Sequence, residues 1–391
     1  MAKTFDATAA INDSTTLARS LRAVSTLRLV LGLTALLGAI IFLEGTSWDI
    51  QWHSFIGRDR TLIPPHIMML SGVALSGISG LLCVLIESWW ARRNTIIAHY
   101  GVGFAEIFSG PLGAYIVGFT ALTAAVAFPL DAYWHALYGI DVAIWAPFHV
   151  MFAASMGLVA LGAAYMLSSA AHLAARIGIG IRRAATLGVV LALATALSIF
   201  TLLLFDALER KNFINLGFMS ISVFPLLSGM LVAFTLVAAA SAIPWRWAAT
   251  SVSICYLLLA GIMALFVQPA TDWLLTVERL TYRDTPPFTS IVALEWFIAP
   301  LVVAILIDVF MRRAQRKQWS QRKLTFILAL TALLSGALPI ISIFPLYPIV
   351  LASRLGIAGY LVSVLLGLAG TYLGTIVGRN VGESLDSLER D

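Results

Sequence analysis

The sequence predicts an all-α fold, a polytopic membrane helical bundle of about ten transmembrane helices with both termini cytoplasmic. Of its 391 residues, 60% are hydrophobic and only 12% charged, and the mean hydropathy of +0.92 lies far above that of soluble globular domains. The apolar residues fall into runs long enough to cross a bilayer. The basic residues gather in alternate connections between those runs, as they do where Lys and Arg are retained on the cytoplasmic side. That retention accounts for the formal charge of +5, so no nucleic-acid partner is implied. Cys83 and Cys255 both lie inside apolar runs, which argues against a disulfide framework or a thiolate metal site.

In chain order, residues 1–27 are polar, with a Leu/Ala/Val pattern broken by Arg19 and Arg22, the pattern of a short amphipathic helix on the membrane surface. The run from Leu29 to Phe42 leads into Glu44 and Trp48 rather than a small-residue cleavage site, so it is read as a retained first span. Further runs at about 64–87, 102–128, 147–170, 184–205, 215–243, 247–267, 289–311, 324–345 and 355–378 complete the ten. On this layout the inner segments hold 18 of the 25 Lys and Arg, including Arg92, Arg93, Arg182, Arg183 and the cluster Arg312, Arg313, Arg316, Lys317, Arg322 and Lys323, whereas the outer loops hold 7. The protein is therefore expected in the plasma (inner) membrane with its outer loops on the periplasmic face.

Two of those outer loops read as copies of one another. Asp49 and His53 are followed by Pro64, Pro65 and His66, and Asp131 and His135 by Pro147 and His149. Residues four apart share one helix face, and a proline just before the second His suits the first turn of the next helix. Each copy thus offers one carboxylate and two imidazoles from two helix ends, the layout of a three-ligand metal site. A lone interfacial His needs no such account, but ionisable groups at the membrane are costly unless paired or functional, and packing alone does not require the same trio twice. Asp131 has a second available role: it follows Pro129 and could cap the helix that carries His135.

Around these six candidate ligands, Glu44, Asp59, Asp141 and Glu295 are candidate outer carboxylates that would fix the tautomer of a ligating His. Trp52 and Trp134 are expected to be interfacial anchors, and His99 and His172, which lack a carboxylate at helical spacing, are expected at the cytoplasmic interface. Later outer loops echo the pattern without histidines, as Asp206 with Glu209, Asp272 with Trp273, and Arg283-Asp284 leading to Pro286, Pro287 and Phe288. Loop chemistry alone accounts for those.

The run from His53 to His66, with Arg58, Asp59 and Pro64 inside it, resembles the signature of the C subunit of the copper-containing membrane monooxygenases, the particulate methane and ammonia monooxygenases. In that subunit an Asp, a His four residues on and a His thirteen further on bind copper, and Asp49, His53 and His66 match ligand for ligand. A second copper site of the family uses a side-chain oxygen ligand, usually Asn, then His four later and His fourteen after that within Ala-Pro-x-His. Asp131, His135 and Ala146-Pro147-Phe148-His149 fall on those positions, with Asp in place of Asn. The resemblance is clear from about residue 25 to 170. It divides the chain into the N-terminal segment 1–27, a membrane domain 28–245 with the two metal hairpins, and additional helices 246–391.

The resemblance implies a monooxygenase component that hydroxylates a small apolar or weakly polar substrate with O2, carries one or two copper ions, draws electrons from a quinol or other donor, and works as an oligomer with A- and B-type subunits. The donor set alone fits iron or zinc as well as copper. A non-catalytic copper- or metal-binding or transport protein is the alternative, and a catalytically silent scaffold a third. No ladder of Met or His crosses the predicted spans, which favours the oxygenase.

Overall fold

In hydrocarbon the backbone has no partner but itself, so long runs of Leu, Ala, Val and Ile become helices. A computed structural model describes residues 7–57, 61–139, 145–178, 180–204, 213–295, 299–337 and 347–388. It is an all-α bundle, and among the described residues eight helices are long and apolar enough to cross a membrane. Helices α1 (Ala7–Phe55) and α2 (Pro64–Ala91) form a first hairpin. The short α3 (Thr95–His99) and a two-stranded ribbon, β1 (Val102–Phe104) with β2 (Phe108–Gly110), lead to a second hairpin of α4 (Leu112–Tyr138) and α5 (Pro147–Arg176). Then come α6 (Ile181–Leu202), a second ribbon of β3 (Phe213–Asn215) and β4 (Ser220–Ser222), α7 (Phe224–Ala242) and α8 (Ala248–Glu278). The chain ends with α9 (Ile291–Glu295), α10 (Ala299–Lys317), α11 (Gln321–Ala332), α12 (Leu334–Ala337) and α13 (Tyr347–Ser387), the last kinked where Gly356 adopts φ 68°.

Several boundaries differ from expectation. The spans expected at 102–128 and 215–243 start later, at Leu112 and Phe224, because antiparallel ribbons take up the preceding residues. The runs at 289–311 and 324–345 give α9 to α12, which are not among the eight apolar spans. The segment before Leu29 is not a separate surface helix. Helix α1 runs through it for 49 residues, and Leu21 and Val24 are buried against Ile97 and Leu173 rather than facing lipid.

Helix α5 is the axis of the bundle, buried almost continuously from Phe152 to Ala174 and packed on α1, α4 and α6. Both hairpins cross at paired glycines. A Cβ on Gly38 would run into the Gly72 carbonyl across α1 and α2, and one on Gly113 would lie 2.5 Å from the Gly162 carbonyl across α4 and α5. The same device joins α7 and α13: Gly370, Gly374, Gly378 and Gly382 sit on the carbonyls of Leu226, Met230, Phe234 and Ala238. A four-residue step on both partners is the small-residue packing by which membrane helices gain van der Waals contact.

At the end of α1 away from Asp49, Arg28 is fully buried. Its guanidinium forks onto Glu87 of α2 at 2.8 and 2.7 Å and also donates to Ser169 Oγ of α5 and the Tyr100 carbonyl. A buried charge is tolerated when its partner and hydrogen bonds are complete. Arg28 and Asp49 are 21 residues apart on one helix, or ~31 Å, close to the thickness of a hydrocarbon core. Glu87→Ala would strand the guanidinium and is expected to cost about 3–5 kcal/mol, read as a lowered unfolding midpoint in detergent. Joint replacement, Arg28→Met with Glu87→Leu, is expected to stay near the parent; an equal loss in both variants would contradict this reading of the pair.

Candidate metal centre

The two hairpins present their ligands in the same way. Asp49 and His53 occupy the last two turns of α1, and Asp131 and His135 those of α4. Each helix then breaks at a glycine of positive φ four residues past the His: Gly57 at 68° and Gly139 at 87°. After the connection, Ile63 and Ala146 are extended caps, and prolines open α2 and α5. His66 and His149 follow in the first turns, so each returning helix aims an imidazole at the carboxylate on the preceding one. Asp131 lies inside the continuous helix α4, with Pro129 also within it, so it is not a helix N-cap.

The six predicted ligands therefore come together as two triads, in each of which the three donor atoms lie within 4.8 Å of one another. His53 Nε2 and His66 Nε2 approach Asp49 Oδ1 at 3.4 and 3.0 Å. His135 Nε2 faces Asp131 Oδ2 and His149 Nε2 faces Asp131 Oδ1, both at 3.3 Å. Donors bound to one ion at about 2.0–2.2 Å with tetrahedral or octahedral angles stand ~2.8–3.6 Å apart, which is the spacing found.

Tautomers sharpen the argument. His66 Nδ1 lies 3.1 Å from the Thr61 carbonyl and His135 Nδ1 3.1 Å from the Gly139 carbonyl. A carbonyl only accepts, so each Nδ1 carries the proton and donates, which in a neutral ring leaves Nε2 with a lone pair. That lone pair points at a carboxylate oxygen. Asp49 Oδ1 and Asp131 Oδ1 are buried and have no hydrogen-bond partner. In the neutral rings of His66 and His135 an acceptor thus faces a carboxylate oxygen at 3.0 and 3.3 Å; a second ring proton would satisfy each contact singly, and a metal ion shared by both imidazoles and the carboxylate would satisfy all three groups of a triad at once.

Both triads line one cavity of about 90 Å³, whose walls include Phe42, Met69, Phe128, Phe152 and Leu202. Phe128, one turn before Asp131, meets His66 edge-on at 5.9 Å between ring centroids. Phe42, Phe128 and Phe152 thus form the aromatic part of the wall, and no tryptophan is among the lining residues. Trp52 is buried in the bundle at 1% exposure, so it is no interfacial anchor; on α1 its side chain faces neighbouring helices. Trp134 packs on Tyr138 and Phe148. His99 is exposed beside Tyr100, and His172 lines a separate cavity with Arg182 and Asp386.

The outer carboxylates fare differently. Glu44 is buried, and neither of its oxygens has a hydrogen-bond partner, so it does not hold an imidazole; the contact expected of it is not made. Asp59, Asp141 and the side chain of Glu295 lie outside the described residues, as do Asp206 and Glu209. The groups that orient His66 and His135 are backbone carbonyls. For the second site a signal existed in the sequence, a glycine four residues after the His, and the same spacing recurs at Gly57. No family model, curated protein or solved structure matches the chain.

Gly139→Ala tests the backbone support. Gly139 has φ 87° and ψ 173°, a conformation that costs an L-residue about 1–3 kcal/mol, so its carbonyl is expected to move off His135 Nδ1. Copper titration of the purified protein should then show roughly 10–100-fold weaker binding at the second triad with the first unchanged; full affinity at the second triad would contradict the support assigned to Gly139.

Proposed function

We propose that the protein is a membrane copper-dependent monooxygenase component that hydroxylates a small apolar or weakly polar substrate with O2. The observation that carries this reading is the opening of both Asp-His-His triads into a single cavity walled by Phe42, Phe128 and Phe152. Two imidazoles and a carboxylate suit copper, iron or zinc; copper is favoured by the resemblance of the ligand spacings to the methane and ammonia monooxygenase C subunit.

Asp49, His53 and His66 would hold one ion, and Asp131, His135 and His149 a second. Copper, when bound, supplies the redox chemistry for activating O2. In the overall reaction one oxygen atom enters a C–H bond as C–OH, and the other is reduced to water by two electrons from a quinol-type donor and two protons. The phenylalanine walls would hold an apolar substrate beside the ligands and limit water. Asp131 adds a negative charge absent from an Asn site, which would favour the oxidised ion at the second triad.

The charge distribution supports an outward-facing site. Arg92 and Arg93 follow α2, Arg176 ends α5, Arg182 and Arg183 begin α6, and each lies at the helix end away from the triads. Under the positive-inside rule those ends are cytoplasmic. A- and B-type partner subunits and an oligomeric assembly belong to the same reading.

The test is metal analysis and electron paramagnetic resonance of protein purified in native lipid. Copper is expected, with His53→Ala or His66→Ala losing one ion per chain while the protein still inserts, because packing rather than metal holds membrane helices together. Asp131→Asn should weaken metal retention at the second triad and raise its reduction potential. An impermeant copper chelator added to intact cells should strip the metal. Copper-free preparations, or undiminished copper in both histidine variants, would sink the proposal, and copper out of the chelator's reach would reverse the assigned orientation.

A further inference from the structure

The helices beyond residue 246 have no counterpart in the resemblance, yet one of them is bonded to the back of the first triad. Gln51 sits between Asp49 and His53, and at about 100° per residue its side chain leaves α1 on the face opposite the ligands. It is fully buried. Its Oε1 accepts from the backbone N–H of Ile291 at 3.2 Å, and its Nε2 donates to Gln268 Oε1 at 2.7 Å. Gln268 Nε2 donates in turn to Tyr282 Oη at 2.8 Å and Asp272 Oδ1 at 3.1 Å, and the Tyr282 hydroxyl donates to Asp272 Oδ1 at 2.7 Å.

The ends of this chain dictate its direction. A backbone N–H can only donate and an ionised carboxylate only accept, so neither amide can flip without losing bonds. Burial, and then its bond to Asp272, push the Tyr282 hydroxyl up to about 12, so it remains a donor at neutral pH. Three further links bracket the same stretch of α1. Ser47 Oγ is 3.0 Å from Ser290 Oγ, the Arg283 N–H donates to the Phe55 carbonyl at 3.0 Å, and the Arg283 guanidinium donates to the Gly57 carbonyl at 3.1 Å. The last two satisfy carbonyls that a helix end otherwise leaves without partners. The attachments span residues 47 to 57 and enclose both ligands on α1.

We infer that the end of α8 and the chain after it, residues 268–291, form a clamp that positions the first triad, with Gln51, Gln268, Asp272 and Tyr282 as positioning residues. The inference rests on reading that triad as a metal site. The second triad, on α4 and α5, is an internal control, since α8 packs on α1, α6, α7 and α10. Its geometry is built within its own hairpin, whereas the first borrows its rigidity from the C-terminal half.

The experiment uses the full-length protein in lipid nanodiscs, titrated with copper(II) and followed by paramagnetic resonance, alongside hydrogen exchange. Gln268→Glu sets a carboxylate against Asp272 and is expected to weaken copper at the first triad roughly 10–100-fold, change that triad's resonance and speed exchange at residues 50–57. Gln268→Glu combined with Asp272→Asn restores every donor–acceptor pairing at unchanged net charge, and should return the first triad to within a few-fold of the parent. The second triad should hold its affinity throughout. The clamp is overturned if exchange at 50–57 is unchanged in Gln268→Glu, if both triads weaken together, or if the double variant fails to recover. If the parent binds no copper, the metal reading fails on its own, and the exchange data alone decide whether the clamp exists.

Discussion

Two imidazole nitrogens converging on one buried carboxylate oxygen form an arrangement that needs positive charge between them, as ring protons or as a shared metal ion. At the first triad both Nε2 atoms address Asp49 Oδ1, while the outer nitrogen of His66 is committed to a backbone carbonyl. At the second, Gly139 plays that part for His135. The surrounding architecture serves this convergence: a helix ending in a left-handed glycine, a connection, a proline that starts the returning helix, and a histidine in its first turn. Building the trio twice, with both copies opening on one cavity, places two sets of three donor atoms around a small, largely apolar space.

The membrane explains why such a site can be held in register. Each hairpin is drawn together at a glycine–glycine crossing, and α5 is buried along nearly its whole length, so the helix ends cannot drift apart independently. At the far side of the hydrocarbon, Arg28 ties α1, α2 and α5 through a completed set of bonds. Along α1 ionisable chemistry is thus kept to the two ends, with none between Arg28 and Glu44. At one end it is neutralised by an ion pair; at the other two carboxylates remain with lone pairs turned toward imidazoles. The difference separates a completed ion pair from a candidate binding site.

What the sequence revealed follows from how local each feature is. Asp49 with His53 and Asp131 with His135 are readable because four residues make one helical turn, and His66 and His149 because proline marks where the next helix begins. The burial of Trp52 depends on which helices surround α1, a fact no window of sequence contains. Residues 1–27 carry enough polar groups to suggest a surface helix, but α1 runs unbroken from Ala7 and buries Leu21 and Val24 against Ile97 and Leu173, contacts that lie far away in sequence. The ribbons at 102–110 and 213–222 hid inside apolar runs because hydropathy does not distinguish a strand from the start of a span. Glu44 looked like a support for a histidine on proximity alone, and the structure leaves its carboxylate unbonded. The attachment of 268–291 to α1 could not have been read at all, since Gln51 and Gln268 are 217 residues apart.

Anomalous X-ray scattering at the copper edge, from crystals of protein purified from copper-replete membranes, tests the account most directly. It predicts a peak enclosed by Asp49 Oδ1, His53 Nε2 and His66 Nε2 and a second enclosed by Asp131, His135 Nε2 and His149 Nε2. Copper-loaded crystals without anomalous density at either triad would contradict it.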